Sequence, residues 1–171
     1  MPLRFRHQLP TGETRAWTLR EIVQGAPVDR PSHPMLIHFP IAFYVGALGF
    51  DLLSRVRHFP AGPISGTYLI IGALAGFALA ATTGLADRAS MRPESKIKGL
   101  ATRHMWLQVI AAAFFALTLV LRWPERHHVR ASLVWIALEI VGILVMMVAA
   151  DIGGQMVYKI GFRVSTGPGS E

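Results

Sequence analysis

ASLVWIALEIVGILVMMVAA, residues 131–150, contains a single ionisable side chain, Glu139. A helix rises about 1.5 Å per residue, so this run covers the roughly 30 Å of hydrocarbon in a bilayer and reads as a membrane span. Three other stretches match it in length and apolar character: Met35–Leu53, Gly66–Ala86 and Ala101–Leu121. The whole chain agrees, with 52% hydrophobic and 16% charged residues among 171 and a mean hydropathy of +0.42, well beyond the soluble range. The joints Ser54–Ser65, Asp87–Leu100 and Arg122–Arg130 collect the breakers Pro60, Gly62, Pro63, Pro93 and Pro124 together with charge, as turns between helices do. These features predict an all-α integral membrane protein, a four-helix bundle running up-down-up-down.

Residues 1–31 stand apart as an N-terminal tail. Thr18 and Glu21 have the spacing of a capping box, with Trp17 just before and Gly25 and Pro27 just after, which predicts a short amphipathic helix over Leu19–Gln24. That helix would lie on the membrane surface, dock on the mouth of the bundle or meet another subunit. The bundle is expected over residues 32–162 and a C-terminal tail over 163–171. The first 30 residues carry Arg4, Arg6, Arg15 and Arg20 with no apolar core between them, so no signal peptide is read there.

The net charge of +7 does not read as nucleic-acid binding, because the basic residues lie in tails and short connections rather than along one aromatic-interleaved stripe. Four alternating spans put both tails and the Asp87–Leu100 joint on one face, the first, and the other two joints on the second. Twelve of the 17 Lys and Arg fall on the first face, which predicts cytoplasmic termini in a bacterial inner (plasma) membrane. The lipid bilayer is the expected surrounding partner.

HPMLIHFPIAF at residues 33–43, TGLAD at 83–87, His104 opening the third span and GGQMVY at 153–158 together resemble a bacterial family of four-helix membrane proteins catalogued as domain of unknown function twenty-two thirty-one. The resemblance covers about residues 32–162. It implies the fold and the membrane location and supplies no activity.

Chemistry must therefore come from the unusual residues. Cysteine is absent, which excludes disulfides and all-cysteine metal or iron–sulfur ligation. His38 and His104 each lie in the first turn of a span, and those two helices are diagonal in an up-down bundle. Two facing imidazoles suit axial ligation of a b-type haem. Ala42, Gly46, Gly49 and Ala111 would admit the macrocycle, Gln108 lies one turn below His104, and Arg88 and Arg103 would meet the propionates. Two other readings remain open: a different metal, or interfacial hydrogen bonding without any ligand. His33 precedes Pro34, which predicts extended backbone and a tethering role.

Glu139, deep in an apolar run, is costly unless protonated, paired or facing a wet cavity. A proton relay, a quinone hydrogen bond and a bond to a neighbouring helix all fit it. Asp51 is expected to meet Arg55 at i+4 or the interface, Asp87 and Asp151 to cap, and Gly72 and Gly76 to let helices approach closely. No P-loop, GxSxG, HExxH or dinucleotide fingerprint is present. The residues thus point to an electron-transfer subunit carrying haem b between helices one and three and serving a redox partner, rather than to a stand-alone enzyme. The alternative is a non-catalytic anchor or accessory subunit of a larger respiratory or photosynthetic complex.

Overall fold

A computed structural model describes residues 4–8, 14–28 and 30–164. Most of the C-terminal tail, 165–171, lies outside the described residues. Among the described residues, four helices are long and apolar enough to cross a membrane: Ser32–Val56, Gly62–Ala89, Lys96–Arg122 and Leu133–Lys159. Each extends the span read from the sequence at one or both ends, because interfacial residues such as Arg88 and Lys98 continue the helices past the apolar runs.

Before the bundle, Arg4–Gln8 (β1) and Thr14–Thr18 (β2) pair antiparallel, with Phe5 opposite Trp17. This hairpin is too short for its alternation to register against the tail's polar composition. Leu19–Val23 (α1) follows directly. Thr18 caps it: the Glu21 amide donates to the Thr18 hydroxyl, and the Glu21 carboxylate accepts from the Thr18 amide at 2.6 Å, the reciprocal capping box that the sequence predicts. Gly25 then turns the chain at φ +89°, where a β-carbon would strike the Arg30 carbonyl.

The first span is two helices, Ser32–Leu36 (α2) and His38–Val56 (α3), with the break at Ile37. His33 is helical rather than extended: Pro34 sits in the first turn of α2, where a proline's missing N–H leaves no bond unmade. Pro40 is buried one turn into α3. Gly62–Ala89 (α4) packs closely on α3, since Gly72 lies against Phe43 and Gly76 against Pro40. Lys96–Arg122 (α5) and Leu133–Gly154 (α6) form the second packed pair, α6 ending in a π-helical turn, Gln155–Lys159. The caps Ser95 and Ser132 accept from Lys98 and Val134 amides.

Across the centre, Tyr44 of α3 stacks on Phe115 of α5 with centroids 3.8 Å apart, and Ile70, Ala73, Ala111 and Met146 fill in around them. The outward faces carry exposed Val45, Leu79, Val120 and Leu144, as lipid-facing surfaces should.

α1 docks on the bundle. The Gln24 amide donates to the Ala86 carbonyl (2.9 Å) and the Ser90 hydroxyl (2.6 Å), and Arg20 reaches the same carbonyl at 3.3 Å. Of the sites expected for the amphipathic helix, the end of α4 is the one it occupies.

Candidate functional site

Polar side chains gather at the two ends of the bundle. At the first end, where α2 meets the end of α4 and the start of α5 meets the end of α6, the rings of His33 and His104 lie 6.3 Å apart, centroid to centroid, with planes at 84°. His33 Nδ1 donates to the Ala80 carbonyl (2.9 Å) and His104 Nδ1 to the Ala149 carbonyl (2.7 Å). A carbonyl only accepts, so each Nδ1 carries a proton, which makes Nε2 the nitrogen open to a ligand. Neither Nε2 bonds to a described residue. A glycine stands four residues beyond each accepting carbonyl, Gly84 and Gly153, and a β-carbon there would come within 3.0 Å of His33 and 3.2 Å of His104. In a helix the residue at i+4 covers the carbonyl of residue i, so glycine at these positions uncovers both acceptors.

His38, which the sequence pairs with His104, is exposed on α3 and meets only the Met35 carbonyl of its own turn, at 3.4 Å. Five residues turn a helix by about 140° from His33, so only one of the two histidines faces inward. Ala42 and Gly49 also face outward, Gly46 packs on Leu69, and Ala111 is enclosed in the core. Gln108 is half-buried one turn from His104, Arg103 is exposed, and Arg88 donates to the Thr102 hydroxyl at 3.0 Å, linking α4 to α5. Asp87 pairs with Arg163 at 2.7 Å, and Asp151 accepts from Gln155. Among the described residues no three His, Asp or Glu side chains lie together as a metal-holding group.

At the second end, Arg122 closes α5 fully buried. Its Nη2 donates to Asp51 (2.8 Å) and to the Pro63 carbonyl (2.7 Å), its Nη1 to Glu139 (3.0 Å), and its guanidinium lies 4.9 Å from the Trp135 ring centroid. All three charged side chains are 0% exposed. Asp51 thus pairs across the bundle and not with Arg55, which points outward one turn away. Glu139 makes the inter-helix bond expected of it, from the second turn of α6. Gly66 gives the cluster room, since a β-carbon there would lie 2.8 Å from Asp51 Oδ1. Ser54 completes the seal, accepting from the Ala131 amide at 3.0 Å. Arg122 carried no signal beyond that of a loop cation at a helix end.

His33 and His104, Tyr44 and Phe115, and Asp51 and Arg122 share one separation, 71 positions. At that offset His33, Leu36, Ala42, Phe43 and Leu48 recur as His104, Leu107, Ala113, Phe114 and Leu119, and at an offset of 69 AATTG at 80–84 recurs as AADIG at 149–153. The α3–α4 and α5–α6 hairpins are therefore two copies of one plan. Equivalent residues touching one another is the mark of a two-fold axis, here running along the bundle between α3 and α5. Both clusters straddle it. The family model for a predicted membrane protein, DUF2231, matches residues 29–166.

The chain belongs to this DUF2231 family.

No curated protein and no solved structure matches it, so the family adds the membrane setting to the geometry and leaves the chemistry to the residues. In this DUF2231 chain the repeat also explains why opposite charges occupy equivalent positions: two first hairpins pairing would set Asp51 against Asp51, and two second hairpins Arg122 against Arg122. Only unlike hairpins close the triad.

Proposed function

We propose that the protein is a membrane electron-transfer subunit in which His33 and His104, rather than His38 and His104, are the axial ligands of one b-type haem. The observation that carries the reading is the matched anchoring of two imidazoles on the two-fold axis, each with Nε2 bonded to no described residue. Two metal–nitrogen bonds of about 2.0–2.1 Å, with the rings' own radii added, span about 6 Å, close to the 6.3 Å between centroids. Only two protein ligands converge, which suits haem because the macrocycle supplies the remaining four nitrogens; a bare zinc or calcium ion wants more side chains than this site offers. The backbone carbonyls behind the rings hold each imidazole's tautomer and orientation. Arg103 adjoins His104 in sequence and Arg88 lies one turn beyond Gly84, which backs His33; these two would meet the propionates. Bis-imidazole ligation gives a low-spin iron suited to passing an electron.

The charge asymmetry orients the molecule with its imidazole end toward the cytoplasm. Burial of Arg122 removes a cation from the second face and strengthens that bias. The β1–β2 hairpin, which pairs with no other described strand, favours a second reading as an accessory subunit of a larger redox complex, in which the hairpin is the contact.

Purified protein expressed with ample haem tests the proposal. A Soret band that sharpens on dithionite reduction, lost in His33→Ala and in His104→Ala but retained in His38→Ala, is the expected result. A colourless protein removes the haem reading and leaves the accessory one; a pigment that depends on His38 and not on His33 overturns the ligand assignment.

A further inference from the structure

We propose that the Asp51–Arg122–Glu139 cluster is a proton-binding site that holds one proton between its two carboxyl groups. A guanidinium stays charged under any condition a protein survives. Two ionised carboxylates beside it would leave a net negative charge with no solvent contact inside the bundle, a state that costs several kcal/mol per unpaired ion. One proton makes the cluster neutral.

The unpaired atoms say where it goes. Arg122 satisfies Asp51 Oδ1 and Glu139 Oε1, while Asp51 Oδ2 and Glu139 Oε2 are buried with no hydrogen-bonding partner among the described residues. The two carboxyl groups are brought together by the one guanidinium, Asp51 on its Nη2 and Glu139 on its Nη1. A single O–H between them partners both oxygens at once, as in the carboxyl pairs that share a proton elsewhere. Among the described residues, the groups packed against the cluster leave both oxygens without a hydrogen. α4 contributes the Pro63 carbonyl and Gly66, α6 adds Trp135 through its ring face, and the Ser54 hydroxyl of α3 already donates to the Asp51 carbonyl at 2.7 Å. The guanidinium Nε–H, also without a partner, bonds to neither orphaned oxygen, and having no acceptor it does not take up the proton.

The ligand of this site is therefore H⁺, bound and released at the end of the bundle opposite the imidazole pair. When it leaves, Asp51 and Glu139 become like charges on α3 and α6, and the contact between those helices weakens.

Infrared spectroscopy of the full chain in lipid nanodiscs at neutral pH reads the proton directly. The expected result is a protonated-carboxyl stretch that shifts in D₂O and also shifts when either aspartate or glutamate is ¹³C-labelled, because both groups share the proton. Asp51→Asn and Glu139→Gln should each abolish it, since one carboxylate suffices for Arg122. Absence of a protonated-carboxyl band in the wild-type chain overturns the proposal, and so does a band that survives both substitutions or responds to neither label. The wild-type measurements decide the matter even if a variant fails to fold.

Discussion

Replacing Arg122 with methionine isolates what the charged cluster contributes to stability. Methionine matches much of the arginine's length and can lie along Trp135, so little volume is lost. What disappears is the guanidinium with its bonds to Asp51 at 2.8 Å and Glu139 at 3.0 Å. The Pro63 carbonyl keeps a partner in the Thr67 hydroxyl at 2.8 Å, so its loss of Arg122 is a minor term. Breaking a buried pair from one side costs about 3–5 kcal/mol, because a charge remains buried without its partner. At 1.4 kcal/mol per decade this lowers the folded-to-unfolded ratio by roughly 100- to 4,000-fold. The triple variant Asp51→Leu, Arg122→Met, Glu139→Leu removes every charge at once, and its stability should return to near wild-type or exceed it, as such replacements do by about 1–4 kcal/mol. Reversible unfolding in mixed micelles, monitored by circular dichroism, measures both. An Arg122→Met protein as stable as wild-type would refute the reasoning, and so would a triple variant no more stable than the single one.

Gly66→Ala should destabilise by about 1–3 kcal/mol, because its β-carbon would meet Asp51 Oδ1 at 2.8 Å and Arg122 Nη2 at 3.0 Å; the same unfolding assay checks it. Gly84→Val and Gly153→Val push on His33 and His104 from behind and should abolish the haem spectrum while far-ultraviolet helicity stays intact. Thr18→Ala removes the cap of α1 at a local cost of about 0.5–2 kcal/mol, so limited proteolysis should cut the N-terminal segment faster with the bundle's own unfolding unchanged.

The spans were legible because lipid imposes one requirement, an uninterrupted apolar run long enough to cross, and four such runs stand out. The capping box of α1 was legible because it is a local exchange of two hydrogen bonds between residues three apart. His33 was misread through Pro34: the bias of a residue before proline toward extended backbone fails when that proline sits in a helix's own first turn. Asp51 was assigned to Arg55 because i+4 pairs are visible in sequence, whereas Arg122 lies 71 positions away. That distance was nonetheless written in the chain. The repeat of His33, Ala42 and Phe43 as His104, Ala113 and Phe114 sets α3 beside α5 in register and would have paired His33 with His104 and Asp51 with Arg122 before any coordinates. It escapes notice because small and apolar residues recur in every membrane helix, and only the histidines and the AAxxG segments lift the match above that background. The β-hairpin left the weakest trace, since five-residue strands on a polar tail bury too little to impose a pattern.

The central claim is that two imidazoles, His33 and His104, face each other on the bundle axis with planes nearly perpendicular, at 84°. Low-temperature electron paramagnetic resonance of the oxidised, haem-loaded protein reads that arrangement directly, because the mutual angle of axial imidazoles sets the anisotropy of low-spin ferric iron. The account predicts a strongly anisotropic low-spin signal, present in His38→Ala and absent from His33→Ala and His104→Ala. A high-spin signal, the rhombic spectrum of parallel imidazole planes, or no ferric haem signal at all would contradict it.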